Sequence, residues 1–132
     1  MPLNHDLQGK AYPPQPFTVD PGRVKAFALA IGHLGEGVPP TFATAPELAA
    51  GLDNVLADPE LGIDLARVLH GEQTYEWLQQ IPVGRTVVAE ATIESIRAKG
   101  GMEFLSLRTE IRDAAGELLV VGRTTLIVRG ET

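Results

Sequence analysis

A His-Gly-Glu-Gln run at residues 70–73 contains the side chains of this sequence that are best suited to chemistry. It places an imidazole, a carboxylate and a carboxamide around Gly71, a residue that can adopt almost any backbone conformation. His70 and Glu72 are two residues apart on a predicted strand, so we expect both side chains on the same face of a sheet. Such a pair is a candidate for general acid and base catalysis, or for lining a substrate pocket. The alternative is a buried hydrogen bond between a histidine and a carboxylate that tethers the strand to the helix or to a loop.

Other catalytic chemistries have little support. Ser95 and Ser106 are the only serines; both fall inside predicted strands, and no Gly-x-Ser-x-Gly turn surrounds either. The absence of cysteine excludes disulfides and thiolate nucleophiles. His5, His33 and His70 have no metal-ligand spacing, so we expect no metal site.

Size and charge narrow the class of protein. A chain of 132 residues with 44% hydrophobic content predicts one folded domain, spanning residues 1–132. The net charge is −6 and the eleven Lys and Arg residues are scattered, which argues against nucleic-acid binding. No basic-then-apolar leader opens the sequence, and no apolar run approaches the roughly 18 residues that a membrane span needs. We therefore expect a cytoplasmic protein with no membrane association.

The first half of the sequence predicts two helices. The prolines within residues 1–19 indicate an extended lead-in, Asp20 and Pro21 start a short helix, and Gly32 ends it. Residues 33–40 read as a loop. Thr44 followed by Glu47 has the pattern of a capping box that opens a second helix. Its predicted apolar face consists of Leu48, Ala49, Leu52, Val55 and Leu56.

From residue 67 the hydrophobic period changes from that of a helix to that of a strand. The predicted strands are Val68 to Leu78, Thr86 to Ala98, Glu103 to Asp113 and Glu117 to Arg129. The third strand alternates apolar and polar residues, which gives the sheet one buried and one solvated face. The order predicts an α+β fold in which the apolar helix packs on the buried face. One edge strand should remain open, and edge pairing into a dimer would cover it.

Three segments together resemble a known family: Pro39-Pro40-Thr41-Phe42, Arg67 to Gln73, and Ile81-Pro82-Val83-Gly84. They resemble the N-terminal half of MaoC-like dehydratases, the smaller subunit of mycobacterial (3R)-hydroxyacyl dehydratases, and the first half of peroxisomal type 2 enoyl-CoA hydratases. The resemblance implies a hotdog fold, in which an antiparallel sheet wraps a long central helix. It also implies acyl thioesters of coenzyme A or acyl carrier protein as substrates, without another cofactor. Pro40, Thr41 and Phe42 would lie near the acyl tunnel, with His70 and Gly71 also at the substrate.

The loop after the first helix departs from the family pattern. Members that catalyse carry an Asp and a His five positions apart in a Gly-Asp-x-Asn-Pro-x-His segment, whereas this chain has His33 and Val38 at those positions. The resemblance therefore implies an acyl-binding half that needs a hotdog partner bearing Asp-x4-His. Two alternatives remain open. One is a self-sufficient homodimeric enzyme that uses His70 and Glu72, or His33 and Glu36, for dehydration, conjugate addition or thioester hydrolysis. The other is a non-enzymatic acyl-thioester binding protein.

The sequence leaves the acyl chain length, the carrier, the identity of the partner and the pathway open. Fatty-acid, mycolate-like, polyketide and side-chain degradation routes all use proteins of this kind.

Overall fold

The computed structural model describes residues 2–130 and contains a five-stranded antiparallel sheet in the order β1-β3-β4-β5-β2. The strands are β1 Gln15–Thr18, β2 Val68–Trp77, β3 Thr86–Lys99, β4 Met102–Arg112 and β5 Leu118–Arg129. The four predicted strands are confirmed to within one residue at each end. The predicted extended lead-in is only partly right: residues 15–18 form the sheet strand β1, which pairs with β3, but His5–Leu7 form a 3-10 turn.

The first helix, α1, spans Pro21–Ile31 and has the predicted ends. The Asp20 side chain accepts a hydrogen bond from the backbone N–H of Arg23 at 2.9 Å, and this bond caps the first turn. Gly32 ends the helix in the left-handed conformation with a φ of 71°. Short 3-10 turns also occur at His5–Leu7 and Leu65–Arg67.

The second helical segment, called α2, covers residues 40–56 and is not a uniform α-helix. Its parts are a 3-10 turn Pro40–Ala43, an α turn Thr44–Pro46, a π turn Glu47–Leu52 and a final α turn Asp53–Leu56. The predicted capping box is wrong, because Thr44 lies inside the segment and Glu47 is buried at 1% exposure. The predicted face is only half right: Leu52 and Val55 are buried, but Leu48 and Ala49 are exposed. A π turn adds a residue to the helical period, so a spacing of 3.6 residues does not identify the buried side across it.

The core lies between α2 and one face of the sheet, as predicted. On β4, the buried residues are Leu105, Leu107, Thr109 and Ile111, and the residues that alternate with them are partly exposed. The helix backbone lies directly on this strand at Gly51, where a Cβ atom would be only 2.9 Å from Cγ2 of Thr109. Glycine therefore allows the close approach of α2 to the sheet.

Strand β2 forms one edge of the sheet, and within residues 2–130 it pairs only with β5. None of its ten residues is buried in the described chain. The predicted open edge is therefore present, while the dimer that would cover it stays a prediction.

Candidate functional site

A β-bulge at Gly71 changes the arrangement predicted for His70 and Glu72. His70 lies opposite Leu126, while Glu72 lies opposite the adjacent residue, Thr125. Neighbouring residues of a strand point to opposite faces, so the expectation that His70 and Glu72 share a face is wrong. The physical reason is the extra residue, since Gly71 has no counterpart on β5.

On the inner face, the bulge brings His70 together with Gln73 instead. The distance from His70 Nε2 to Gln73 Oε1 is 3.1 Å. Gln73 Oε1 also accepts a hydrogen bond from the Thr124 hydroxyl at 2.7 Å, and its Nε2 donates to Glu47 Oε2 at 3.0 Å. Gln73 therefore connects an exposed imidazole to a buried carboxylate.

Glu47 lies at the centre of this arrangement. Its Oε1 accepts a hydrogen bond from the Tyr75 hydroxyl at 2.6 Å, and the Tyr75 hydroxyl lies 2.8 Å from Oγ1 of Thr44. A phenol has one hydrogen, so when Tyr75 donates to Glu47 the Thr44 hydroxyl must donate to Tyr75. We call these side chains the Glu47 network; its members are Thr44, Glu47, His70, Gln73, Tyr75 and Thr124.

The electrostatics of the Glu47 network follow from its burial. Removal from water raises the pKa of Glu47, and the hydrogen bonds from Tyr75 and Gln73 act in the opposite direction. Burial, followed by the bond to Glu47, raises the pKa of Tyr75, which stays a neutral donor. Because the Gln73 amide nitrogen faces a carboxylate, its oxygen faces His70, and His70 must donate through Nε2.

Gly122 on β5 makes room for the buried carboxylate. A Cβ atom there would overlap Oε2 of Glu47 and would lie 3.2 Å from Cε1 of Tyr75. The sequence analysis missed Glu47, Tyr75 and Thr124 as one cluster. The available signals were an acidic residue in an apolar helix and an isolated glycine inside a strand, which indicates a close approach of another group.

A groove of about 380 Å³ lies beside the start of α2. It is lined by Val38, Pro39, Pro40, Trp77, Leu78, Gln79, Gln80 and Ile81. The indole Nε1 of Trp77 donates to the backbone oxygen of Pro40 at 2.9 Å and so joins the two walls. Trp77 is 47% exposed and does not belong to the core of the chain.

The structure separates the residues predicted to bind substrate. Pro40 lines the groove, and Thr41 is exposed beside it. Phe42 is buried at 1% exposure, with its ring against Phe27 at 5.4 Å between centroids. His70 and Gly71 lie at the other end of β2, so the prediction of a single substrate surface for all five residues stays untested.

The loop of residues 32–38 holds the candidates His33 and Glu36. It is irregular, as predicted, and Leu34 is 98% exposed. His33 Nε2 is buried next to Gly35, and within residues 2–130 it has no hydrogen-bond partner. His33 and Glu36 form no hydrogen bond with each other among these residues.

The described residues contain no group of three or more His, Asp or Glu side chains placed to hold a metal ion. Among the same residues, no helix has the length and apolar character needed to span a membrane.

The architecture resembles that of solved hotdog dehydratases. A crystal structure of the C-terminally truncated HadBC (3R-hydroxyacyl-ACP dehydratase) complex from Mycobacterium tuberculosis matches with a TM-score of 0.77 and 21% identity, over 92% of this chain and 97% of that one. The MaoC-like dehydratase from Rhodospirillum rubrum matches with a TM-score of 0.72 and 15% identity, over 98% of both chains. The predicted α+β hotdog fold, with a helix packed on an antiparallel sheet, is confirmed.

Two sequence comparisons then define the family. The family model described as "FAS1-like, dehydratase domain region" matches residues 14–121. A UPF0336 protein from Thermobifida fusca is 34% identical over 99% of this chain and 97% of its own length. The chain therefore belongs to the FAS1-like dehydratase-region family and to the UPF0336 proteins.

Proposed function

We propose that this chain is the acyl-thioester-binding subunit of a (3R)-hydroxyacyl-thioester dehydratase or trans-2-enoyl hydratase. In this proposal the catalytic Asp and His come from a hotdog partner, and the acyl group is carried on coenzyme A or phosphopantetheine. The observation that carries the proposal is a dehydratase-family hotdog chain with His33 and Val38 where an Asp and a His are expected.

The chemistry of the loop supports this division of labour. Hydration of an enoyl thioester needs a group that takes a proton from water and a group that returns one. Val38 has no titratable group, and His33 packs against Gly35 without a carboxylate partner in the described chain. The loop is therefore poorly suited to activate water by itself.

The Glu47 network is also better suited to a structural role than to proton transfer. Both carboxylate oxygens of Glu47 already accept hydrogen bonds, and the side chain is 1% exposed. A substrate on the surface has no access to such a group. His70 and Glu72, the other predicted pair, point to opposite faces of β2 and do not form an acid and base couple.

The groove beside Pro40 supports binding of an acyl thioester. Its walls combine prolines and the partly exposed Trp77 and Leu78, which suit an apolar chain or the pantetheine arm. The open edge of β2 supports a hotdog partner, because a second sheet can pair there.

The test is co-expression with a hotdog protein that carries Asp-x4-His, encoded near this chain. We expect a stable complex by native mass measurement and hydration of crotonyl-CoA by the complex only. Replacing the partner's Asp by Asn should abolish the rate, whereas His33→Ala in this chain should change it by less than about twofold, well under the loss seen when a proton-transfer group is removed.

The outcomes separate the alternatives. An enzyme-like rate from the pure chain alone would contradict the proposal and support a self-sufficient homodimer. Saturable binding of acyl-CoA without turnover, in the presence of a partner that folds and binds, would support a non-enzymatic binding protein.

A further inference from the structure

The β2 edge carries negative charge along its outer face. Beyond the bulge, Glu72 and Glu76 point to this face with Thr74 between them, and all three are exposed. The nearest cation on the neighbouring strand is Arg123, which lies opposite Thr74. Its Nε is 3.4 Å from Oε1 of Glu94 on β3, so its charge is shared with a third carboxylate.

The same edge also has the features of a surface that another chain covers. It offers ten residues of strand that have no strand partner on one side in the part of the chain that the structure describes, and none of the ten is buried there. Large apolar side chains are exposed along it: Leu69 at 51%, Trp77 at 47% and, just past its end, Leu78 at 47%. The opposite edge, β1, has only four residues.

Pairing with a second copy of this chain would bring the glutamates together. Two β2 strands related by a twofold axis run antiparallel, and residues on the same face then lie opposite one another. A register centred on Thr74 places Glu72 of one copy directly opposite Glu76 of the other. A register centred on Glu72 or on Glu76 places that glutamate opposite the same glutamate of the second copy.

The intermediate registers do not avoid this contact. They place Glu72 or Glu76 opposite Thr74 and diagonal to glutamates of the other strand, at about 7–8 Å. Each register centred on a residue from Glu72 to Glu76 therefore sets like charges against each other, which destabilises a strand pair. The net charge of −6 adds repulsion between whole copies.

We infer that the β2 edge selects a different hotdog chain, one whose edge strand presents Lys or Arg opposite Glu72 and Glu76, and disfavours a second copy of this chain. This inference rests on the proposed function in so far as that function needs a partner. It identifies Glu72 and Glu76 as the two residues that favour a heterodimer over a homodimer. A basic partner strand turns each repulsive contact into an attractive one, while the backbone hydrogen bonds of the edge remain the same.

The test uses the full chain and a charge reversal. The double variant Glu72→Lys/Glu76→Lys should not pair with itself, but an equimolar mixture with the unaltered chain should form a dimer. We expect a Kd at least about tenfold lower for the mixture than for either chain alone, measured by sedimentation equilibrium. Hydrogen exchange should show new protection of β2 amides in the mixture only.

A matched control separates the edge from the overall charge. Asp53→Lys/Glu117→Lys makes the same change in net charge at exposed positions away from β2. Its mixture with the unaltered chain should show no such gain. A neutral variant, Glu72→Gln/Glu76→Gln, should tighten self-association about tenfold.

The partner arm uses the Asp-x4-His hotdog protein. Glu72→Lys/Glu76→Lys should weaken that complex at least about tenfold, and the control variant should leave it unchanged. Any of three results would overturn the inference. The first is a homodimer of the unaltered chain with protected β2 amides, and the second is a charge-reversed mixture that pairs no better than the control mixture. The third is a partner complex whose Kd does not change on charge reversal. The proposed function is judged separately, by turnover of the unaltered complex.

Discussion

The amide nitrogen of Gln73 donates a hydrogen bond of 3.0 Å to the buried carboxylate of Glu47 and thereby ties the edge strand β2 to the helix α2. Two further contacts repeat this connection along the strand, from Tyr75 to Glu47 and from Trp77 to the backbone of Pro40. Because no residue of β2 is buried, these polar contacts hold the helix-facing side of the strand in place. The open edge depends on the Glu47 network for its shape.

Replacement of Glu47 by Leu should destabilise the chain strongly. Leucine fills much of the space but removes the acceptor of the hydrogen bonds from the partly buried Tyr75 and Gln73. We expect the free energy of unfolding to fall by about 3 kcal/mol, measured by urea titration. Glu47→Gln is the matched control. Its carboxamide can accept a hydrogen bond from Tyr75, and the Gln73 amide can rotate to pair with it. The free energy of unfolding of this variant should therefore fall by only about 1 kcal/mol. Equal losses for the two variants would show that the hydrogen bonds of Glu47 contribute little.

Gly122→Ala should show that the carboxylate and the β5 backbone are in contact. The new methyl group overlaps Oε2 of Glu47, so the side chain must move out of its network. The expected cost is about 2 kcal/mol, in the range of overpacked cores. In a Glu47→Ala background the space is free, and the loss from Gly122→Ala should shrink by at least about 1 kcal/mol. Strict additivity of the two changes would contradict the contact.

Acid should destabilise the chain through Asp58. Lys10 Nζ donates to Oδ2 of Asp58 at 2.8 Å and the Tyr12 hydroxyl donates to the same oxygen at 2.6 Å. These bonds lower the pKa of Asp58 below its ordinary value of 3.8. A carboxyl whose pKa is lower in the folded state contributes stability above the unfolded value, and this is lost as the pH falls through the folded value.

Unfolding midpoints measured between neutral pH and pH 2 should therefore fall steeply below about pH 4 for the unaltered chain. Asp58→Asn should be less stable at neutral pH and should show a shallower acid decline. Exposed Asp53→Asn serves as the control and should keep the full decline. An Asp58→Asn chain that loses stability in acid as steeply as the unaltered one would contradict the assignment.

Glu47 should produce the opposite pH dependence. Burial raises its pKa above the ordinary value of 4.5, so its contribution to stability is complete below that value and is lost as the pH rises through the raised folded value. Glu47→Gln removes the titration. Stability curves of the two chains should converge toward alkaline pH, and divergence in that direction would contradict the raised pKa.

Trp77 is the only tryptophan of the sequence and reports on the groove. It is 47% exposed, so an acyl chain or a partner that enters the groove should move its fluorescence emission to shorter wavelength. We expect a saturable blue shift with acyl-CoA or with the hotdog partner, and a smaller one with coenzyme A alone. Trp77→Phe removes the signal and the hydrogen bond to Pro40 and should weaken the binding, measured by calorimetry. Binding that leaves the emission unchanged would place the ligand elsewhere.

The sequence was a good guide where a local pattern decides the structure. The caps Asp20 and Gly32 predicted both ends of α1, and the alternation of residues along β4 predicted its buried face. Such features depend on neighbouring residues, whose side chains and backbone dihedrals determine caps and strand faces. The family likeness of residues 39–42 and 67–73 added the hotdog arrangement.

The tertiary structure alone decided the site. Glu47 reads as a capping residue in the sequence, but donors from Gln73 and Tyr75 on β2 make its burial possible. The bulge at Gly71 exchanges Glu72 for Gln73 as the partner of His70, because one unpaired residue reverses every side chain that follows. Residues far apart in the chain supply these contacts, so local periodicity does not predict them. The sequence by itself determined the helices and strands. Only the packing of these elements decided which polar groups meet.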